Sequence, residues 1–244
     1  MRRRLATILL VLAPISACDD STSPEGENGV FDFRFTTGTH GWTPGFADYP
    51  VGEEQSYQLV AGHEELPAPL DQSRRGILLS GNNHSDDLFM FLKRQLTGLQ
   101  PETEYDVAIS VEFATNAAQG CFGVGGSEGE SVVIKAGASA VEPDTVVKSE
   151  GVATMVRFNL DKGNQLEPGA DAIVLGNIAN SSTDCGNAPY ELKTLDSADQ
   201  ELTAKTDANG RLWLFVGSES GFEAKTALYY TRIRAKLTPR ESDI

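Results

Sequence analysis

Residues 80–113 read SGNNHSDDLFMFLKRQLTGLQPETEYDVAISVEF, and their pattern decides the fold. Leu88 to Leu92 is apolar at every position, which suits an interior strand covered on both faces. After a Gly98-Leu99-Gln100-Pro101 turn, Tyr105, Val107, Ile109, Val111 and Phe113 alternate with Asp106, Ala108, Ser110 and Glu112. Alternation of period two marks a strand with one buried face, because successive side chains point to opposite sides. The two runs read as a hairpin in the middle of a β-sandwich.

Working outward, Phe31, Phe33 and Phe35 alternate with polar residues as a first strand. Trp42, Phe46 and Tyr49 follow in a loop punctuated by Gly41, Pro44, Gly45 and Pro50. Tyr57 to Val60 reads as a short strand, and Glu64 to Arg75, with Pro67 and Pro69, as an irregular crossing. Further strands are expected at Ser131–Ala136, Val152–Leu160, Ala172–Leu175 and Glu191–Leu195, with a glycine-rich turn over 120–129. Glu201–Thr206 and Arg211–Val216 flank Asp207-Ala208-Asn209-Gly210, whose Asn-Gly pair tolerates the positive φ of a tight hairpin. The last strand, Thr226–Leu237, puts Tyr229, Thr231, Ile233, Ala235 and Leu237 on one face and Tyr230, Arg232, Arg234 and Lys236 on the other. No stretch shows helical spacing over a dozen positions. The expected fold class is all-β, a single β-sandwich over residues 30–238 with a disordered tail over 239–244.

The N-terminus gives an address. Arg2, Arg3 and Arg4 precede the apolar run Leu5–Leu12, which is far short of the ~20 residues that span a bilayer and reads as a secretory signal segment over residues 1–17. It ends in Ile15-Ser16-Ala17-Cys18, which resembles the bacterial lipobox, so Cys18 is the expected lipidation site. Diacylation there would supply the two lipid signals that stable anchoring needs. The polar, acidic residues 19–29 read as a flexible tether. The expected location is extracytoplasmic, on a bacterial membrane.

The chain carries 20 Lys and Arg against 35 Asp and Glu, a net charge of −15 that cleavage after Ala17 would take to −18 by removing three arginines. Such a charge argues against nucleic acid, whose binding rests on basic contacts to phosphate, and against electrostatic docking on anionic lipid. With Cys18 acylated, Cys121 and Cys185 remain, and two cysteines in an exported chain most simply pair. Neither has a second cysteine or a histidine near it, which argues against zinc.

Asn82, Asn83, His84, Asp86 and Asp87 form the densest polar loop. Such a set serves equally as an Asx-rich turn bonding its own backbone, as a hydrogen-bonding site for sugar hydroxyls, or through Asp86 and Asp87 as part of an oxygen-rich Ca²⁺ site. Trp42 and Tyr49 are candidates for a stacking platform, or for a lid over one end of the sandwich, while Trp213, between Leu212 and Leu214, reads as core. The cationic row Arg232, Arg234 and Lys236 reads as pairing with acids on a neighbouring strand. Three motif-like stretches fail on inspection. His63-Glu64-Glu65-Leu66-Pro67 lacks the second histidine of a zinc protease, residues 123–129 misplace the last glycine of a dinucleotide fingerprint, and residues 217–221 put Glu219 where a hydrolase elbow needs serine.

Phe31-Asp32-Phe33 followed by Gly41-Trp42, the turn Gly98–Tyr105 and the terminal Leu228–Ile233 strand resemble the jelly-roll modules of carbohydrate-binding modules and galactose-binding-like domains. The chain as a whole also resembles uncharacterised bacterial lipoproteins. The first resemblance implies a jelly-roll sandwich that binds glycan. Many such modules hold calcium through an Asp in the last strand, where this chain has Thr231 and Arg232. The expected function is non-catalytic binding of glycan or another surface ligand by a membrane-anchored lipoprotein. The alternatives are an assembly lipoprotein with a protein partner, and a carbohydrate-active hydrolase or lyase.

Overall fold

The computed structural model describes residues 29–197 and 200–241, so Cys18, the signal segment and most of the tether lie outside the described residues. In chain order the strands are β1 (Val30–Arg34), β2 (Thr43–Ala47), β3 (Tyr49–Pro50), β4 (Val60–Glu65) and β5 (Arg75–Asn82). Next come β6 (Phe89–Leu96), β7 (Glu104–Thr115), β8 (Val132–Ser139), β9 (Thr145–Glu150) and β10 (Ala153–Phe158). The last five are β11 (Ala172–Asn177), β12 (Glu191–Asp196), β13 (Thr203–Lys205), β14 (Leu212–Ser220) and β15 (Lys225–Pro239).

All pairings are antiparallel. One sheet runs β12-β7-β15-β5-β4, with β1 also on β15 and β13 also on β7; the second runs β11-β8-β14-β6-β2; a small third sheet runs β3-β10-β9. The inner faces of the two large sheets meet in one core that includes Phe33, Trp42, Leu79, Met90, Val111, Phe113, Val216, Tyr230 and Ile233. The chain is an all-β sandwich, as the alternation in 105–113 requires.

The central hairpin does not form. β6 pairs with β14 and β2, whereas β7 pairs with β15, β12 and β13, so the turn between them carries the chain from one sheet to the other. Both strands are interior and take partners from distant chain, which a local reading of a turn cannot see. The same holds for the Asn-Gly segment. Asp207 donates its N–H to Arg211 O and Gly210 donates to Asp207 O, both at 3.0 Å, and Gly210 takes the expected positive φ of 67°. Yet β13 stays on β7 while β14 joins β6 and β8. The two crossings brace each other, Leu99 N–H donating to Gly210 O at 3.2 Å and Glu102 N–H to Asp207 O at 3.1 Å.

Several smaller expectations change for equally local reasons. Tyr57 lies in a turn, donating its N–H to Glu53 O, and the strand begins only at Val60. Residues 43–47 form an edge strand on β6 rather than a loop. β9 is exposed at every position and so lacks the apolar alternation that marks a half-buried strand. Trp213 is half-buried on the outer face, because Leu212, Leu214 and Val216 take the core side, and Lys93 Nζ sits 5.8 Å over its ring. In β15 a bulge between Tyr230 and Arg232 shifts the register, so Leu228 and Tyr230 are buried together with Ile233, Ala235 and Leu237, and Tyr229 faces outward. The strand runs to Pro239, two residues past its expected end at Leu237 and one past the expected domain boundary.

Cys121 and Cys185 form the disulfide, with Cα atoms 5.6 Å apart. It ties the 116–131 loop to the segment that leads into β12.

Candidate functional site

The polar loop and the aromatic cluster singled out in the sequence meet by packing rather than around a pocket. Trp42 is 2% exposed and sits edge-on to Phe33 and Phe35 at 5.7 and 6.4 Å, and Tyr49 is 7% exposed. Neither offers a face to a ligand, so the stacking platform gives way to the lid. Asn83 is 1% exposed, and its side-chain amide donates to Ser220 O and Phe222 O at 2.7 and 3.1 Å. Its Oδ1 accepts from Ser85 N–H at 3.1 Å. That is an Asx turn plugging the end of the sandwich. His84 packs edge-on against Tyr57 at 5.3 Å, and its Nε2 lies 2.9 Å from Asn82 Nδ2. Asp86 is exposed with a φ of 60°, and its carbonyl accepts from Gln165 Nε2.

Asp87 belongs to a network of ion pairs on the outer face of the five-stranded sheet. Lys135 and Glu219, both with fully buried side chains, lie 2.7 Å apart, and Glu219 Oε1 lies 2.7 Å from Lys162 Nζ. Lys162 continues to Asp48 at 3.2 Å, and Arg157 pairs with Asp48, Asp87 and Glu150 at 3.3, 2.9 and 2.6 Å. Burial, aided by the Asp48 and Glu219 carboxylates, pushes Asp87 up to about 6 against the pull of Lys162. The single Arg157 Nη1 shared with Asp48 does not offset that. Burial outweighs Glu219 and holds Lys135 below the usual lysine range. Burial works against charge on Lys162 and Glu219 as well, but the Asp48 and Glu219 carboxylates raise the lysine, and Lys162 and Lys135 lower the glutamate. Perturbed groups of this kind mark active sites as well as structural networks. Here each charged side chain has an oppositely charged partner, and the rings of Phe89, Phe91, Phe158 and Phe215 pack on one another at centroid distances of 4.8–5.5 Å, with Lys162 Nζ 5.3 Å over Phe89. The network latches β10 onto the sheet. Asp87 is spent on Arg157, and among the described residues no three His, Cys, Asp or Glu side chains gather as a metal site would require.

The opposite face is open. Across the seven-stranded sheet, β-pairing aligns Val60, Ser80 and Ala227 in one row, with Gly62, Leu78 and Tyr229 in the next. The residue after β7 adds Asn116, and the residue before β12 adds Tyr190. Together with Lys225 they line a cleft of about 390 Å³ whose floor is small or aliphatic. Tyr190 and Tyr229 stand edge-to-face, with centroids 5.6 Å apart at 89°. Burial, aided by Tyr229, pushes the Tyr190 phenol up to about 12, and burial likewise raises Tyr229. Both therefore remain neutral O–H donors near neutral pH. Ser80 is 3% exposed, and its Oγ has no hydrogen-bond partner among the described residues. A buried hydroxyl left unpaired costs free energy and is satisfied when a ligand or water reaches it.

The sequence reading missed this site. The bulge is invisible in an alternating pattern, which places Tyr229 on the core face, and Tyr190 lies outside any alternating run. The one available signal was Tyr190 beside Pro189 at the start of a strand. Arg232, by contrast, does what the cationic row suggested, clasping Asp32 of β1 through two hydrogen bonds of 2.7 and 2.6 Å.

No protein-family model and no curated protein matches the chain. Among solved structures, it is similar to the CBM22-1 xylan-binding domain of Paenibacillus barcinonensis Xyn10C, at 13% identity over 86% of this chain and 95% of that one, with a TM-score of 0.36. It is also similar to the K1 cleaved adhesin domain of Lys-gingipain from Porphyromonas gingivalis W83, at 12% identity over 85% and 97%, with a TM-score of 0.35. TmCBM61, solved with β-1,4-galactotriose, gives 7% identity over 82% and 88%, with a TM-score of 0.34. The enzymatically active domain of the bacteriophage CBA120 tailspike protein 4 matches 81% of this chain at 11% identity and a TM-score of 0.33, and the chain spans 19% of its length. Similarity at this level concerns the strand architecture and says nothing of ligand or activity.

Proposed function

We propose that this protein is a lipid-anchored, extracytoplasmic β-sandwich that binds glycan without catalysis, through the cleft that Tyr190 and Tyr229 line. One observation carries the reading. The cleft joins two neutral tyrosines, an amide and an unpaired serine hydroxyl over a floor of Ala227 and Leu78. A pyranose presents the complement, an apolar C–H face for rings and aliphatic floor and a rim of hydroxyls for fixed polar groups. Anchoring rests on Arg2–Arg4, the Leu5–Leu12 run and Cys18. Cys18→Ser should release the protein from membranes.

The test is a glycan array probed with detergent-solubilised full-length protein, followed by calorimetry. Tyr190→Ala and Tyr229→Ala should each weaken the retained glycan by about tenfold or more, in line with the ~0.5–1.5 kcal/mol of an aromatic contact plus its lost burial. Retention that neither substitution alters would refute the site. A protein partner is the second reading, favoured by Phe122 and Val124, which are 91% and 67% exposed on the disulfide loop. One specific adduct on cross-linking in cells, lost in Phe122→Ser, would support it.

A further inference from the structure

We infer that the Tyr190–Tyr229 cleft selects acidic sugars, with Lys225 pairing with a ring carboxylate of the uronate or sialic-acid type. The inference rests on the glycan reading of that cleft.

The chain carries 35 acids against 20 bases, and its cations are mostly committed. Arg74 pairs with Glu112, Lys93 with Glu142, Arg232 with Asp32, and Lys135, Lys162 and Arg157 belong to the network on the other face. Lys225 is exposed at the rim of the cleft and has no ion pair or hydrogen bond among the described residues. No carboxylate lines the cleft with it. Glu128 lines the small adjoining hollow, where its Oε1 accepts from Ala118 N–H. The only charge among the residues lining the cleft is therefore positive, with the Glu64 carboxylate acting on Tyr229 from beside it.

Geometry places that charge at a useful distance. Lys225 and Ala227 are two residues apart on β15, roughly 7 Å at the rise of a strand. A sugar ring over Ala227, with Tyr229 beside it and a hydroxyl bonded to Ser80 Oγ, would carry a ring-edge carboxylate towards Lys225. Ser80 is directly opposite Ala227 in the β5–β15 register and is a residue lining this cleft whose buried hydroxyl has no partner among the described residues. The ammonium is exposed, so its contribution is one of selectivity between charged and neutral forms of the same sugar.

The test uses full-length protein on an array of neutral oligosaccharides, oligouronates, sialylated and sulfated glycans. Calorimetry then compares the best carboxylated glycan with its methyl ester, which keeps the ring and removes the charge. The expected result is about tenfold tighter binding of the acid than of the ester. Lys225→Gln should bring the acid down to the level of the ester, and Lys225→Arg should preserve the preference. Equal binding of acid and ester, retention of neutral or sulfated glycans alone, or acid binding unchanged in Lys225→Gln would overturn the inference and leave the glycan reading standing. Retention of no glycan of any kind would overturn both.

Discussion

Replacing Glu219 with Gln tests whether the ion network holds the outer layer in place. Glu219 lies on β14 between Val133 of β8 and Phe89 of β6, and its two oxygens each sit 2.7 Å from an ammonium, Lys162 and Lys135. Glutamine keeps the volume but turns one oxygen into a donor facing a cation. Removing one partner of a buried ion pair costs about 3–5 kcal/mol, because the remaining charge is left in a poorly polarisable medium. Lys162 still has Asp48 at 3.2 Å, and Lys135 still donates to the Lys162 and Glu167 carbonyls at 2.8 and 3.0 Å. These contacts place the expected loss near the lower end, about 3 kcal/mol, or roughly 6–12 °C in Tm for a domain of this size. The assay is urea denaturation at pH 7, with the disulfide intact and the m-value compared with wild type. Lys135 is already held below the normal lysine range by burial, so in Glu219→Gln it loses its proton more readily, and the deficit should shrink as pH rises towards 10. Adding Lys135→Met should restore part of the stability by removing the stranded cation. A loss under about 1 kcal/mol at pH 7, or no recovery in the double variant, would refute the reasoning.

Asp87→Asn should change how stability depends on pH. A carboxyl raised from 3.8 to about 6 in the folded state contributes stability that is fully present below pH 3.8 and lost as pH rises through about 6. Between pH 4 and pH 7 the wild type should therefore lose roughly 1–3 kcal/mol relative to Asp87→Asn, and parallel profiles would contradict the raised value. Reduction of Cys121–Cys185, 64 positions apart, should cost about 4 kcal/mol in the chain-entropy picture. Because Cys185 lies in the segment leading to Tyr190, the Cys121→Ser, Cys185→Ser protein should also bind glycan more weakly. A melt unchanged by reductant would show that the loops are held by other contacts.

The sequence made the strands legible where one face is buried. Tyr105 to Phe113 and Ile233 to Leu237 alternate because one side chain in two meets the core, and both runs lie in the sheet as read. Partners were not legible. β6 and β7 are adjacent in sequence and joined by a turn that would suit a hairpin, but each is an interior strand that satisfies its backbone with β14, β2, β15 and β12. The site was hidden for a related reason. A single bulge turned Tyr229 outward, and Ser80 and Asn116 come together only through pairing of β4, β5, β15 and β7. Local polar density drew attention instead to Asn82–Asp87, where Asn83 and Asp87 are consumed by the fold.

The two outer faces differ in how far they are open to a ligand. On the five-stranded sheet, Gly217 has no side chain because a Cβ there would lie 2.7 Å from both the Phe89 ring and the Met90 carbonyl. That face is filled by packed rings and sealed by the Arg157 ion pairs, so a sugar would have to unlatch β10 to enter. On the seven-stranded sheet, Val60, Leu78 and Tyr229 are uncovered, and the Ser80 hydroxyl lacks a partner. Placement along β15 adds a constraint. Val30, the first residue of β1, pairs with Lys236, whereas the cleft lies at Lys225–Tyr229. Seven to eleven residues of strand separate the two, roughly 23–36 Å. A chain anchored through Cys18 would therefore present the cleft at the end of the sandwich remote from the tether, where a glycan outside the membrane can reach it.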